Sequence, residues 1–222
     1  MAQLTSIIDF LDGLLRTKEF TDDSTNGVQV QSSENNIRTV AVAVDAGLSV
    51  IEKAIASEAN LLIVHHGLLW GAEQPIRGTF GRKIELLLRN RCSLYCSHLP
   101  LDGHPEVGNA AELARFFKLQ EIRSWFEYKG NPIGARAILN KPVPIQYFTE
   151  AAQQISGAIS PLILPFGKRE ISKVGIVTGS GAFAIDQAAQ DGLELLISGE
   201  AKQSCYHHCR EVGINALFLG HY

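Results

Sequence analysis

No apolar run in this 222-residue chain reaches the roughly 18 residues that a membrane-spanning helix requires. Neither sign of charge is in large excess, because the formal net charge is only −3. We therefore expect no nucleic-acid partner and no membrane-surface partner. Residues 1–12 carry acidic side chains and no basic segment ahead of an apolar core, so we expect no signal peptide and a cytoplasmic protein.

Only four cysteines are present, and in a cytoplasmic protein we expect them to be reduced thiols. Cys205 and Cys209 share one face of a predicted helix, which would also suit a zinc site. Cys92 and Cys96 lie in a predicted strand and share a face with Leu94. A structural zinc site usually combines two pairs of closely spaced ligands, each pair placed across a turn. The pattern therefore favours cysteines that pack in the core as small apolar side chains.

Strand-like and helix-like segments alternate along the chain, and 45% of its residues are hydrophobic, enough for a sizeable core. Predicted strands cover 28–31, 38–44, 60–64, 92–97, 162–164, 173–178, 193–198 and 215–219. One predicted helix carries the apolar stripe Leu4, Ile7, Ile8 and Leu11, and another ends near residue 91. The remaining helices are predicted at 48–58, 107–117, 144–156, 182–190 and 202–212. This alternation predicts an α/β fold with crossover helices.

The two halves of the chain resemble each other. Residues 47–54 align with 181–188, and the same offset places the strand 61–63 on 195–197. With a smaller offset, residues 92–97 align with 215–220 and His98 aligns with His221. Apolar strands are common enough for chance similarity to be the alternative, but the matching histidines favour two related lobes.

A change of character at 125–142, which holds three aromatic residues and two proline-containing turns, indicates a domain boundary. We place the first lobe at 1–124 plus 214–222 and the second, inserted lobe at 125–213. The predicted fold class is thus α/β, with two related lobes and a metal site in the cleft between them.

The most informative motif is the histidine pair His65-His66, which follows a buried apolar strand and precedes Gly67. Ligands of α/β sheets bind beyond the carboxyl ends of the strands, where we also expect His98, Asp102 and His221. Imidazole and carboxylate are ligands for Zn, Fe, Mn or Ni. Where the chain bends, adjacent histidines can serve two neighbouring ions, although an ordinary pair of loop histidines is the alternative.

Six motifs carry a family resemblance across nearly the whole chain. They are Asn-Gly-Val-Gln-Val at 26–30, Val-His-His-Gly at 64–67, Ser-His-Leu-Pro-Leu-Asp at 97–102, His-Pro-Glu-Val-Gly-Asn at 104–109, Ser-Gly-Glu-Ala at 198–201 and Gly-His-Tyr at 220–222. The chain resembles the GTP cyclohydrolase I type 2 family, also known as the NGG-interacting-factor-three-like proteins.

The resemblance implies a two-domain α/β protein with a dinuclear metal site, assembled as a toroidal homohexamer. It implies that His65, His66, Asp102 and His221 are the metal ligands and that two divalent ions are the cofactors. The family's last ligand is a glutamate four residues after the histidine that matches His221. The printed sequence ends at Tyr222, so we expect the natural chain to continue beyond it.

Two further residues are candidate catalytic groups. His98 would orient Asp102 or carry a proton, and a purely structural histidine is the alternative. Glu200 aligns with His66 and would touch the substrate, with helix N-capping before Ala201 as the alternative.

The expected function is that of a metal-dependent hydrolase in which a metal-activated water attacks a small, nucleotide-like substrate. One alternative is a metal-handling or metal-insertion protein. Another is a ring-shaped interaction protein that is stabilised by metal and has no turnover. The short turn Gly179-Ser180-Gly181 is only a weak candidate for anion binding.

Overall fold

Three parallel strands with crossover helices form the centre of each half of the chain. The computed structural model describes residues 1–156 and 161–221. This part divides into two compact units, Met1–Leu101 and Asp102–Tyr222. Both units combine helices and sheets, which confirms the predicted α/β class. No helix in the described ranges is long and apolar enough to cross a membrane.

The first unit contains one four-stranded and one two-stranded sheet. In the larger sheet the order is β2-β6-β5-β4, with β4, β5 and β6 parallel and β2 antiparallel to β6. The small sheet pairs β1 with β3. The strands are β1 (Ala2–Gln3), β2 (Gly27–Val30), β3 (Asn36–Ile37), β4 (Val40–Asp45), β5 (Leu61–His66) and β6 (Ser93–Cys96), and the helices are α1 (Leu4–Leu15), α2 (Leu48–Ala56), α3 (Gly78–Arg89) and α4 (Leu99–Asp102).

Side-chain alternation explains how this sheet is covered on both faces. Successive residues of a strand point to opposite sides. Leu62 and Leu94 pack in a core cluster with α2 and α3, whereas their neighbours Leu61 and Tyr95 pack with Leu4 of α1. The strands can therefore be apolar throughout, as is typical of parallel sheets buried on both faces.

The second unit contains a six-stranded sheet of order β7-β8-β10-β11-β12-β9. Its central strands β10, β11 and β12 are parallel, and β8 and β9 flank them in antiparallel orientation. The strands are β7 (Gln120–Tyr128), β8 (Asn131–Pro144), β9 (Leu162–Pro165), β10 (Glu170–Val177), β11 (Leu195–Ser198) and β12 (Asn215–Phe218), and the helices are α5 (Asn109–Phe116), α6 (Gln146–Ser156), α7 (Ile185–Gln190) and α8 (Cys205–Val212).

The repeat deduced from the sequence is confirmed at the level of topology. Each unit runs strand–helix–strand–helix–strand with three parallel strands, β4-α2-β5-α3-β6 in the first and β10-α7-β11-α8-β12 in the second. In each, an earlier strand, β2 or β9, pairs antiparallel with the last one. The second unit additionally has the hairpin β7–β8.

The observed units differ from the boundaries placed on the sequence, 1–124 plus 214–222 and 125–213. Residues 102–124 lie in the second unit, and 215–218 form β12, which pairs with β11 and β9 of that unit. The aromatic segment that suggested a boundary belongs to β7 and β8, a pair of long antiparallel strands.

Candidate metal centre

Three histidines meet at the carboxyl ends of β5 and β6 in the first unit. His65 and His66 are the last residues of β5, and His98 lies two residues after the parallel neighbour β6. One ligand atom from each imidazole lies within 4.8 Å of the others. The ring centroids are 4.5 Å apart for His65–His66, 5.1 Å for His65–His98 and 5.7 Å for His66–His98. The three side chains are thus positioned to bind a metal ion.

Each imidazole is held through its Nδ1 atom. His65 Nδ1 lies 2.9 Å from the Ser97 carbonyl, His66 Nδ1 lies 2.7 Å from Asp45 Oδ1, and His98 Nδ1 lies 2.9 Å from Asp22 Oδ1. All three partners are acceptors, so each Nδ1 carries the proton. In a neutral ring with this tautomer the lone pair is on Nε2, which is the nitrogen through which such a ring binds a metal ion.

Asp22 organises the surroundings of His98. Its side chain is only 3% exposed, and it accepts hydrogen bonds from the backbone N–H groups of Ser24 and Leu99 and from Asn26 Nδ2. Burial alone would raise the pKa of Asp22, but these hydrogen bonds and that of His98 lower it well below its ordinary value. Asp22 therefore remains a carboxylate, which accepts a hydrogen bond from His98 Nδ1.

Asn26 links the same residues from the other side. Its Oδ1 accepts the backbone N–H of His98 at 2.7 Å, while its Nδ2 donates to Asp22 at 2.9 Å. The first residue of the Asn-Gly-Val-Gln-Val motif thus holds both the backbone of His98 and the carboxylate that orients its ring.

Gly67 lies directly against the side chain of Gln29. A Cβ atom there would lie 2.3–2.6 Å from the side-chain amide of Gln29. Gln29 Oε1 accepts the backbone N–H groups of Leu68 and Leu69, at 2.6 and 3.2 Å, and fixes the chain after the histidine pair. The glycine thus makes room for a side chain of the protein.

Trp70 borders the cluster and was not singled out from the sequence. Its ring meets that of His98 edge-on at 4.9 Å and lies 6.2 Å from that of His66. Its Nε1 donates to the Gly67 carbonyl at 2.9 Å. An aromatic residue so close after the His-His-Gly turn was the only available signal.

Asp102 begins the second unit, at the end of α4. It is 8% exposed, and its Oδ1 accepts hydrogen bonds from Asn109 Nδ2 and Thr178 Oγ1, both at 2.8 Å. Two donors on one oxygen fix the orientation of the carboxylate. Asn109 closes the fourth of the sequence motifs, so its position has a direct structural reason.

His221 and Glu200 form a pair in the second unit. His221 Nδ1 lies 3.0 Å from Glu200 Oε1, and Ser180 Oγ donates to Glu200 Oε2 at 2.5 Å. Glu200 does not precede a helix directly, because α8 begins at Cys205, so it is not an N-cap. It instead lies where it can orient the imidazole of His221.

The repeat extends to these side chains. In the first unit His98 follows the last parallel strand and lies beside His66, which ends the middle one. In the second, His221 follows the last strand and contacts Glu200, at the end of the middle one. The alignment of Glu200 with His66 and of His221 with His98 therefore matches equivalent positions in the two units.

The cysteines pack in the interior. All four are buried, and burial raises the pKa of Cys92 and of Cys209 to about 11, so both are neutral thiols. Cys96 donates to the His65 carbonyl. Within the described ranges, three or more His, Cys, Asp or Glu side chains come within metal-binding distance of one another only at the histidine cluster. This agrees with packing rather than a zinc site.

The similarity to known proteins extends over almost the whole chain. Residues 2–222 match the family described as Duf34/NIF3 (NGG1p interacting factor 3). The chain is 43% identical over 219 residues to the GTP cyclohydrolase 1 type 2 homolog of Archaeoglobus fulgidus, covering 99% of this chain and 86% of that protein. It is 37% identical over 216 residues to the protein of the same name from Deinococcus radiodurans, covering 97% and 81%.

Solved structures agree with the fold. TTHA1606 from Thermus thermophilus has a TM-score of 0.90 at 35% identity, and a protein ybgI of unknown function has 0.90 at 31%. Both comparisons cover 99% of this chain and 87% of the other. The chain therefore belongs to the Duf34/NIF3 family.

Proposed function

We propose that this protein is a metal-dependent hydrolase that acts on a nucleotide-type substrate. The observation that carries the proposal is the cluster of His65, His66 and His98, in which one ligand atom of each imidazole lies within 4.8 Å of the others and each Nδ1 atom is held by an acceptor. Such support of the ligands is typical of metal-binding histidines in proteins.

The donor types fit divalent transition ions. Neutral imidazole suits Zn, Fe and Ni, and a carboxylate is also accepted by Mn. We propose His65, His66, Asp102 and His221 as the ligands of two ions. In this proposal His65, which is oriented by a backbone carbonyl, and His66, which is oriented by the Asp45 carboxylate, each bind a different ion. Asp102 and His221 are supported by the polar side chains of Asn109, Thr178 and Glu200.

Divalent ions at these ligands would supply Lewis acidity, which acidifies water and stabilises developing negative charge. The residues of the chain set the remaining conditions. Asp22 fixes the proton of His98 on Nδ1, so His98 would present Nε2 to a bound metal ion or accept a proton there. Glu200 holds the ring of His221 in the same way.

The substrate class is proposed from the names of the relatives, which are called GTP cyclohydrolase 1 type 2 homologs. The homohexamer implied by the family resemblance is likewise a proposal. A metal-handling protein would use the same ligands without turnover, so only an activity measurement separates these functions.

The test is GTP consumption by the full-length natural protein loaded with Mn, Fe, Zn or Ni in turn. We expect turnover with at least one metal, loss of activity in His65→Ala and Asp102→Ala, and full activity in the matched control His207→Ala, an exposed histidine of α8. Metal bound at full occupancy without turnover of GTP or related nucleotides would contradict the hydrolase and favour metal handling.

A further inference from the structure

A cavity of about 250 Å³ lies at the carboxyl ends of the parallel strands of the second unit. Its floor is formed by the residues that end or follow β10, β11 and β12, at 178–179, 198–199 and 219–220. This is where open α/β sheets bind their ligands. The lining residues that the structure describes all belong to the second unit.

Three glycines line the floor of the cavity, and their lack of a side chain allows the loops that carry them to approach one another. A Cβ at Gly199 would lie 2.5 Å from the Gly179 carbonyl oxygen and 2.8 Å from that of Gly220. The backbone N–H of Gly199 donates to the Gly179 carbonyl, and that of Gly220 donates to the Gly199 carbonyl. The floor is thus held by hydrogen bonds between the loops, and it presents a surface without side chains at these three positions.

The lining chemistry selects an uncharged, largely apolar group. Leu113, Ile155 and Leu219 supply the apolar walls, and none of the described lining residues is Lys or Arg. The hydroxyls of Thr178 and Ser198 are hydrogen-bonded to Asp102 and to the Gly179 carbonyl. A phosphate would find no cation among these residues, whereas a flat ring would find apolar side chains against which its faces can pack.

The position of the cavity connects it with the proposed ligands of the same unit. Thr178 lines the cavity, and its hydroxyl donates a hydrogen bond to Asp102 Oδ1. Gly179, another lining residue, packs against His221, since a Cβ on it would lie 3.1 Å from His221 Nε2. A group held in the cavity would therefore lie beside residues in direct contact with Asp102 and His221.

We infer that this cavity binds the planar heteroaromatic ring of the substrate and leaves its phosphate groups outside. Its volume suits one fused ring and is smaller than the roughly 300–1,000 Å³ of sites for larger ligands. The choice of a nucleotide-type ring rests on the proposed function, but binding in the cavity can be measured without any turnover.

The experiment titrates the full-length protein by calorimetry with guanosine, benzimidazole and ribose 5-phosphate. Leu113→Trp and Ile155→Trp place an indole in the cavity from α5 and from α6. Leu88→Trp, at an exposed leucine of α3 that does not line the cavity, is the matched control. Thermal unfolding and metal content of each variant show whether it is folded and loaded, and a second filling variant is available if one fails to fold.

We expect guanosine to bind, benzimidazole to compete with it, and ribose 5-phosphate not to compete. The affinity for guanosine should fall about tenfold or more in Leu113→Trp and Ile155→Trp and stay unchanged in Leu88→Trp. The inference is overturned if guanosine does not bind, if filling leaves its affinity unchanged, or if ribose 5-phosphate competes as well as benzimidazole. Ring binding without hydrolysis would contradict only the hydrolase, whereas hydrolysis without ring binding in the cavity would contradict only the cavity assignment.

Discussion

Single residues outside the histidine cluster determine how it is arranged. Asp22, Asn26 and Gln29 hold His98 and the turn after His66, although none of them is a proposed ligand. The histidines themselves could be predicted, because they follow apolar strands. Asp22 could not, since its contact with His98 joins residues 76 positions apart in a loop without periodic pattern.

Replacing Asp22 by asparagine should weaken metal binding without removing a ligand. The amide can donate as well as accept, so it no longer fixes the proton of His98 on Nδ1. We expect the dissociation constant of the bound metal to rise about 10–100-fold, as measured by competition with a chelating dye. The exposed Asp9→Asn change of α1 is the control.

Because Asp22 also accepts two backbone hydrogen bonds, its variant needs a second measurement. If Asp22 acts through His98, Asp22→Asn should weaken metal binding much less in a His98→Ala background than in the wild type. Equal losses in both backgrounds would show that Asp22 only supports the local fold.

The contact between Gly67 and Gln29 predicts a specific non-additivity. Gly67→Ala should lower the free energy of unfolding by about 1–3 kcal/mol, because the new methyl group collides with the Gln29 amide. In a Gln29→Ala background the cost should fall to less than half. Urea unfolding measures both values. Gly13→Ala, in α1 with no atom near the new methyl, should be neutral or slightly stabilising. An unchanged cost in the double variant would contradict the collision.

At the scale of elements, the parallel strands were predictable and the hairpin β7–β8 was not. Leu-Leu-Ile runs mark the buried strands β5 and β11. The hairpin turns at Lys129-Gly130, where both residues have positive φ, without the Asn-Gly or Asp-Gly signal of such turns. Pro132 and Pro142 lie within β8 and suggested loops instead. The predicted helix 182–190 is also divided, into a 3₁₀ turn at Gly181–Ala184 and α7.

Glu194 connects the start of β10 with the segment before β11. It is 9% exposed and accepts hydrogen bonds from Lys168 Nζ, the backbone N–H groups of Ser172 and Lys173, and Ser172 Oγ. Burial alone would raise the pKa of Glu194, but these donors lower it to about 2. The carboxylate therefore stabilises the fold above its ordinary pKa, and this contribution is lost as the pH falls toward 2.

The Glu194→Gln variant should be less stable than the wild type by about 3 kcal/mol at pH 7, if charge alone is changed. More than half of this difference should vanish by about pH 3, because the wild-type carboxylate is then losing its stabilisation. Urea unfolding across this pH range measures the difference. Glu170→Gln, at an exposed position of β10, is the control. A difference independent of pH would contradict the role assigned to the charge.

At the scale of the whole molecule, the repeat places polar side chains at the ends of equivalent strands. The first unit has a cluster of three histidines there, and the second has the pair of His221 and Glu200. Sequence alignment of the halves was sufficient to find this repeat. The extent of the units was not predictable, because it depends on which strands pair, and β12 pairs within the second unit.

The most direct test of the account is metal content, measured by mass spectrometry on full-length protein after metal loading and dialysis. We predict about two divalent ions per chain, as a dinuclear hydrolase requires. At least one ion should be lost in each of His65→Ala, His66→Ala, Asp102→Ala and His221→Ala, and none in the exposed control His207→Ala. Wild-type protein that holds one ion or none would contradict the dinuclear centre, and ligand variants that hold as much metal as the control would contradict the proposed ligands.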